Sequence, residues 1–291
     1  MDEHVPVLLH ESLEYLAIRP DGIYVDATFG AGGHTRAILE RLRGGRLIAF
    51  DADPSAAARA ASITSSAFTF VPSNFRELPA QLDRLEIERV DGVLYDLGVS
   101  SMQFDDPTRG FSFREGAPLD MRMNPQEGQS AYQILTTASE SELADIFFHY
   151  GQERAARRIA RVIVQRRDAG TLPQSTVEFG RMISGLLHRP GQRERIHPAT
   201  RVFQALRIAV NDELDALRDS LDAAVVRLRT AGRVVVISFH SLEDRIVKQK
   251  FREDDRLEAL TKKPIAPSDA EIERNPRSRS AKMRAAQRKA S

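Results

Sequence analysis

The chain has 291 residues, of which 42% are hydrophobic and 29% charged, with a net charge of +1 and no cysteine. That balance describes a globular protein with enough chain for a large core and one or two domains. It excludes disulfides, thiolate catalysis and cysteine-ligated zinc, and no apolar run approaches the length of a membrane span. The first residues, Met1-Asp2-Glu3-His4, show neither the basic nor the apolar region of a signal peptide, so a cytoplasmic location is expected.

Taken in chain order, the first hundred residues alternate strand and helix patterns. Ile23–Thr28 is β-prone and runs into a glycine cluster; His34–Leu42 reads as a helix with Ala37, Ile38 and Leu42 on one face. Arg46–Phe50 is a buried strand, Pro54–Ala61 an alanine-rich helix, Phe68–Val71 a third strand and Val90–Tyr95 a fourth. Such alternation predicts βαβ units and a parallel sheet. After Pro125 the pattern turns helical: Ser139–Arg167, then Thr176–Leu187, with loops at Arg189-Pro190-Gly191 and His197-Pro198. One long helix is expected over Phe203–Leu228, then a buried strand at Arg233–Ile237. The sheet thus resumes after a helical excursion. We read residues 107–199 as an inserted domain, and 1–106 with 200–291 as one discontinuous α/β domain.

The stretch Asp96–Met123 fits neither periodicity. It crowds Gly, Ser, Asp and Arg around large apolar side chains just after a strand, the kind of loop that carries chemistry. Asp26–His34 places glycines where the first strand turns into the first helix, which lets backbone approach a ligand closely. Asp51 ends the next strand, where a carboxylate can accept both hydroxyls of a ribose. A dinucleotide fingerprint G-x-G-x-x-G fails, because Thr35 stands at its third glycine, and no Gly-Lys-Ser/Thr supports a P-loop. An acidic residue four before the first glycine of a G-x-G is the layout of S-adenosylmethionine-dependent methyltransferases.

With Asp26–His34, Asp51-Ala52-Asp53 and Asp96–Met123 in view, the chain resembles the RsmH (MraW) family of bacterial ribosomal RNA methyltransferases. His4–Leu9, His197–Leu214, Val236–Arg245 and Asn275–Lys282 are similar to further blocks of that family, so the resemblance covers nearly the whole chain. It implies a class I (Rossmann-like) α/β methyltransferase sheet carrying a helical insert for substrate recognition. It implies methyl transfer from S-adenosyl-L-methionine to the exocyclic N4 amine of a cytidine in the decoding region of small-subunit (16S) rRNA. The cofactor positions it implies are Gly32, Gly33, His34, Asp51, Phe75, Asp96 and Gln103. The implied partner is small-subunit rRNA or the small ribosomal subunit, with no membrane; a homodimer stays open.

Cytosine N4 is a weak nucleophile, so an acceptor for its proton is needed beside an in-line methyl donor. The Asp/Asn/Ser-Pro-Pro-aromatic tetrad of many amino-methyltransferases is absent, and Asp96-Leu97-Gly98 takes its place. Asp96 is the first catalytic candidate and His240, after the Arg233–Ile237 strand, the second. Phe104, Phe111 and Phe113 are either walls for a flipped base or core. Arg154, Arg157, Arg158 and Arg161 fall on one face of a predicted helix and either track an RNA backbone or form a solvated face. Residues 275–291 hold six basic residues, Arg277 and Arg279 among them, and no acid; this basic tail either contacts phosphates or is simply solvated. The seven histidines show no metal-ligand spacing, and no metal is expected. Two other readings remain: a nucleotide-dependent oxidoreductase, disfavoured by Thr35, and a non-enzymatic RNA-binding assembly factor, disfavoured by the intact Gly32, Asp51 and Asp96 set.

Overall fold

The computed structural model describes residues 6–113, 116–188 and 197–290. His4, Val5, Arg114 and the loop expected at Arg189-Pro190-Gly191 lie outside the described residues. The chain divides into two compact units, one of residues 1–98 with 214–291 and one of residues 99–213.

The first unit begins with α1 (Leu9–Leu16), β1 (Ile23–Asp26), α2 (Gly33–Leu39), β2 (Arg46–Phe50), α3 (Ala56–Ala60), β3 (Phe68–Val71), α4 (Leu78–Arg84) and β4 (Val90–Asp96). The second unit supplies α5 (Ser101–Asp105), α6 (Ala131–Thr137), α7 (Glu140–His149), α8 (Ala156–Asp168), α9 (Thr176–Leu187) and α10 (Thr200–Asn211). The chain then returns to the first through α11 (Glu213–Arg227), β5 (Leu228–Ser238), α12 (Ser241–Glu253), β6 (Leu257–Ala259), α13 (Asp269–Arg274) and β7 (Lys282–Arg288).

The seven strands pair in the order β3-β2-β1-β4-β5-β7-β6. β3, β2, β1, β4 and β5 run parallel, and β7 pairs antiparallel with both β5 and β6. This is a class I, Rossmann-like α/β sheet. Alternate strand residues enter two cores. Val25, Ile48, Val93, Tyr95, Val234 and Val236 pack with α4, α11 and α12, whereas Tyr24, Leu47, Leu94, Val235 and Ile237 pack with α1 and α2. Burial on both faces explains why β4 and β5 are continuous apolar runs rather than alternating ones.

The helical unit has its own core, including Leu135, Leu143, Phe147, Ile159, Ile163, Phe179, Ile183, Phe203 and Leu206. Ser100, Ser130, Ser139 and Ser175 each cap a helix by accepting a hydrogen bond from the backbone N–H three residues on.

Three expectations need correction. The helix expected over Phe203–Leu228 is two helices, broken at Asp212, whose left-handed φ of 48° ends α10. The units therefore divide at 98 and 213, not at 106 and 199. Val99 and Phe104 at one junction, and Val202, Phe203, Ala205 and Leu206 at the other, pack into the helical core. Finally, the basic segment is not a tail. β7 is an interior strand with Met283, Ala285 and Ala286 buried, and Arg284, 7% exposed, is ion-paired to Asp244 at 2.7 Å.

Candidate functional site

In a parallel sheet the loops after the strands collect at one edge, and ligands bind there. Asp26 closes β1 with its carboxylate fully buried. Its Oδ2 accepts the Thr35 hydroxyl at 2.7 Å, and its Oδ1 accepts the Thr28 backbone N–H at 3.1 Å. The Thr28 hydroxyl in turn accepts the Asp96 backbone N–H at 2.6 Å. Asp26 thereby ties the end of β1 to the start of α2, and through Thr28 to the end of β4.

Gly32 caps α2 at φ 78°, a left-handed conformation that favours glycine. A Cβ on the next residue, Gly33, would sit 2.2 Å from Pro6 Cγ, so that position is closed to any side chain. The turn is held from two sides. Asp51, just after β2, accepts the Gly30 N–H through Oδ2 and the Asp53 N–H through Oδ1, both at 2.9 Å, and Arg59 Nε donates to the Gly30 carbonyl at 3.0 Å. Burial outweighs these hydrogen bonds and pushes the Asp51 carboxyl up to about 6. Phe75, in a short turn after β3, packs edge-on against Tyr95 with ring centroids 5.7 Å apart.

Asp96 ends β4. Its Oδ2 lies 3.6 Å from Nδ1 of His34, which is itself 4% exposed. Its Oδ1 is sealed from solvent and has no hydrogen-bond partner among the described residues. Burial first, then the negative charges of Asp26 and Glu243, push the Asp96 carboxyl up to about 8. Leu97 donates its N–H to Ile237 at 3.0 Å, so the β4–β5 pairing continues past Asp96. His240 therefore leaves the neighbouring strand at the same edge, with Nε2 3.1 Å from Oε1 of Glu243.

These residues fit S-adenosylmethionine. A glycine turn admits close backbone approach, and Asp51 offers a carboxylate at the place where ribose hydroxyls are bound in such folds. The orphaned Oδ1 of Asp96 calls for a donor or a cation. The protein groups that shift Asp96 all repel a second negative charge, so a positive ligand is what the pocket lacks.

Of the expected cofactor residues, Gly32, Gly33, His34, Asp51, Phe75 and Asp96 share this edge of the first unit. Gln103 belongs to the second, where it is 7% exposed and its amide oxygen accepts the Ser100 N–H at 3.0 Å. Most of the Asp96–Met123 stretch packs rather than reacts. Phe111, Leu119 and Met121 enter the helical core, with Phe104 and Phe113 against it, and Asn211 pins the backbone of Met121 and Met123. The four arginines do not share one face. Arg154 precedes α8; Arg158 donates to the Leu186 carbonyl, and Arg161 lies 3.6 Å from Glu140. Arg154, Arg157, Arg277 and Arg279 are exposed.

The sequence reading passed over Thr28, Thr35, Arg59 and Glu243. Glu243 had a signal, an acid three residues after His240 ahead of a helix, but a histidine in place of the usual Ser or Thr hides that capping pattern.

Residues 1–289 match the MraW methylase family. The chain is 46% identical to the ribosomal RNA small subunit methyltransferase H of Carboxydothermus hydrogenoformans, over 98% of this chain and 97% of that one. To the proteins of the same name from Heliobacterium modesticaldum and Cyanothece sp. it is 47% and 50% identical, again over 98% of this chain, and over 98% and 94% of theirs. With the glycine turn, Asp51 and Asp96 assembled on one edge of a class I sheet, the chain is a methyltransferase that belongs to the MraW methylase family.

Proposed function

We propose that the protein transfers a methyl group from S-adenosyl-L-methionine to the exocyclic N4 amine of a cytidine in the decoding region of small-subunit (16S) rRNA. The observation that carries this reading is the buried, unpartnered Oδ1 of Asp96 beside the glycine turn. It suits an amine N–H in a site whose other groups repel anions. Family membership and the rRNA substrate in the relatives' names support the RNA target.

Gly32 and Gly33 admit the cofactor to the backbone, Asp51 accepts its ribose hydroxyls, and Phe75 and His34 wall its binding site. Bound, S-adenosylmethionine supplies a methyl on positive sulfur, whose C–S bond breaks with its electron pair retained by sulfur as the new N–C bond forms. Asp96 accepts a hydrogen bond from the N4 amine, which localises the nitrogen lone pair for attack. Alignment within about 3–3.5 Å supplies most of the acceleration. Asp96 then takes the N–H proton, and His240 passes it on.

The helical unit, containing residues 107–199, recognises the RNA, with Arg154 and Arg157 on its surface and Arg277 and Arg279 on the first unit contacting phosphates. Gln103 contributes to cofactor binding from the helical unit. The enzyme works in the cytoplasm on the rRNA or the small subunit, as a monomer or a homodimer, and no helix among the described residues is long and apolar enough to cross a membrane.

The test is transfer of labelled methyl to small subunits lacking the modification, read by nucleoside mass spectrometry. N4-methylated cytidine is expected, and its loss in Asp96→Ala. A methylated product at another atom or another base would overturn the proposal.

A further inference from the structure

Glu243 is 3% exposed at the third position of α12. Burying a carboxylate is costly unless its oxygens are satisfied. Here Oε2 accepts the backbone N–H groups of Phe239 at 2.8 Å and His240 at 3.2 Å, and Oε1 stands 3.1 Å from His240 Nε2. Capping alone does not need this charge. At α5 and α6 of the same chain the third residue does the same work as a neutral amide, Gln103 and Gln133. At α7 the residue is a carboxylate, Glu142, but an exposed one. Only at α12, among these capping boxes, is a buried carboxylate used, and α12 follows the strand paired with the Asp96 strand, where Asp96 stands opposite Ile237.

We propose that Glu243 is a positioning residue for methyl transfer: it fixes His240 and the β5–α12 turn, and its charge sets when Asp96 accepts a proton. This rests on Asp96 being the acceptor, as proposed above. The groups facing Asp96 are Asp26 from the end of β1, His34 from the start of α2, and Glu243 from α12, with His240 in the adjoining turn. Two of these are acids that resist a third negative charge, and Glu243 raises the Asp96 carboxyl together with burial and Asp26. The free enzyme therefore holds Asp96 protonated near neutrality. A cation beside it releases that proton, so the acceptor is made at the moment the positively charged methyl donor is in place. Glu243 couples acceptor and donor.

The experiment is the pH dependence of kcat/KM for methyl transfer to small subunits in wild type, Glu243→Gln and Asp96→Asn, with S-adenosylmethionine affinity and Tm measured alongside. Gln keeps an acceptor for the Phe239 and His240 N–H groups and removes only the charge. Glu243→Gln is expected to fold and bind cofactor, with the acid limb displaced downward by about half a pH unit or more. A limb superimposable on wild type would reduce Glu243 to a cap and overturn the inference. Should Glu243→Gln fail to fold, Glu243→Asp serves. The charge on a shorter arm, withdrawn from Asp96, is expected to displace the limb in the same direction by less, and an unmoved limb overturns the inference. Loss of activity in Asp96→Asn with an unmoved Glu243 profile sinks the inference alone. Full activity in Asp96→Asn sinks the reading of Asp96 and this inference with it.

Discussion

The residue that decides most here is Asp96. It is an acid whose pKa is raised by folding, to about 8, so the folded protein keeps a proton that the unfolded chain releases above about pH 4. Its contribution to stability is present at low pH and is lost as pH rises through that window. Urea unfolding of the ligand-free protein at pH 6 and pH 9 is expected to show Asp96→Asn gaining on wild type at the higher pH. No change in the gap would mean the carboxyl is not perturbed. The same linkage makes cofactor binding release a proton below about pH 8, which calorimetry in buffers of different ionisation heat will detect. Asp51→Ala removes an acceptor that also holds the Gly30 N–H. Cofactor binding is expected to weaken roughly 10- to 100-fold, the scale of a lost charged hydrogen bond. Asp51 and Asp96 were legible in the sequence because each directly follows or ends an apolar strand. Thr28, Thr35 and Glu243 were not, because their partners are distant in the chain and only the sheet brings them together.

Among the elements, the parallel strands were legible because burial on both faces leaves an unbroken apolar run, as in Val234–Ile237. β7 was not. Lys282–Arg288 reads as a cationic segment, and its strand character comes from Met283, Ala285 and Ala286, small or flexible enough to fit between β5 and β6. Its arginines serve packing: Arg288 donates to the carbonyls of Val225, Val226 and Leu228, and Arg284 neutralises Asp244. Arg284→Ala is therefore expected to cost about 3 kcal/mol, the low end for breaking a buried ion pair, because Lys282 still stands 3.7 Å from Asp244. Arg277→Ala, at an exposed position, is expected to change stability by less than about 0.5 kcal/mol. Chemical denaturation of the two variants separates these outcomes. The break between α10 and α11 was hidden for a related reason: the apolar spacing runs on through Asp212, and a single left-handed residue carries no periodic signature.

At the scale of the whole molecule, the near-neutral net charge says little about RNA, because cations of two kinds are mixed in it. Some, such as Arg284, are consumed inside the protein, while Arg154, Arg157, Arg277 and Arg279 are exposed. If the exposed set contacts phosphates, the slope of log K against log salt for rRNA binding should shrink by roughly 0.7–0.9 for each contact removed. An unchanged slope in the Arg277→Ala/Arg279→Ala protein would place the RNA elsewhere. The insertion of one unit into another was readable from the change of periodicity after Pro125. Its limits were not, because Val99 and Leu206 look the same whichever core they enter.

β7 lies between β5 and β6 in space yet follows both in the chain. During synthesis the apolar edge of β5 emerges first and must wait for a partner far behind it; Ser238 and Lys282, which pair in the finished sheet, are 44 residues apart. β6 cannot dock until that partner slides in. A translation product interrupted before residue 282 would thus present Val234–Ile237 along an open edge, a template for aggregation and a target for proteases. The late strand makes the cell's own quality control sensitive to truncation, so that only a chain read through to β7 escapes disposal.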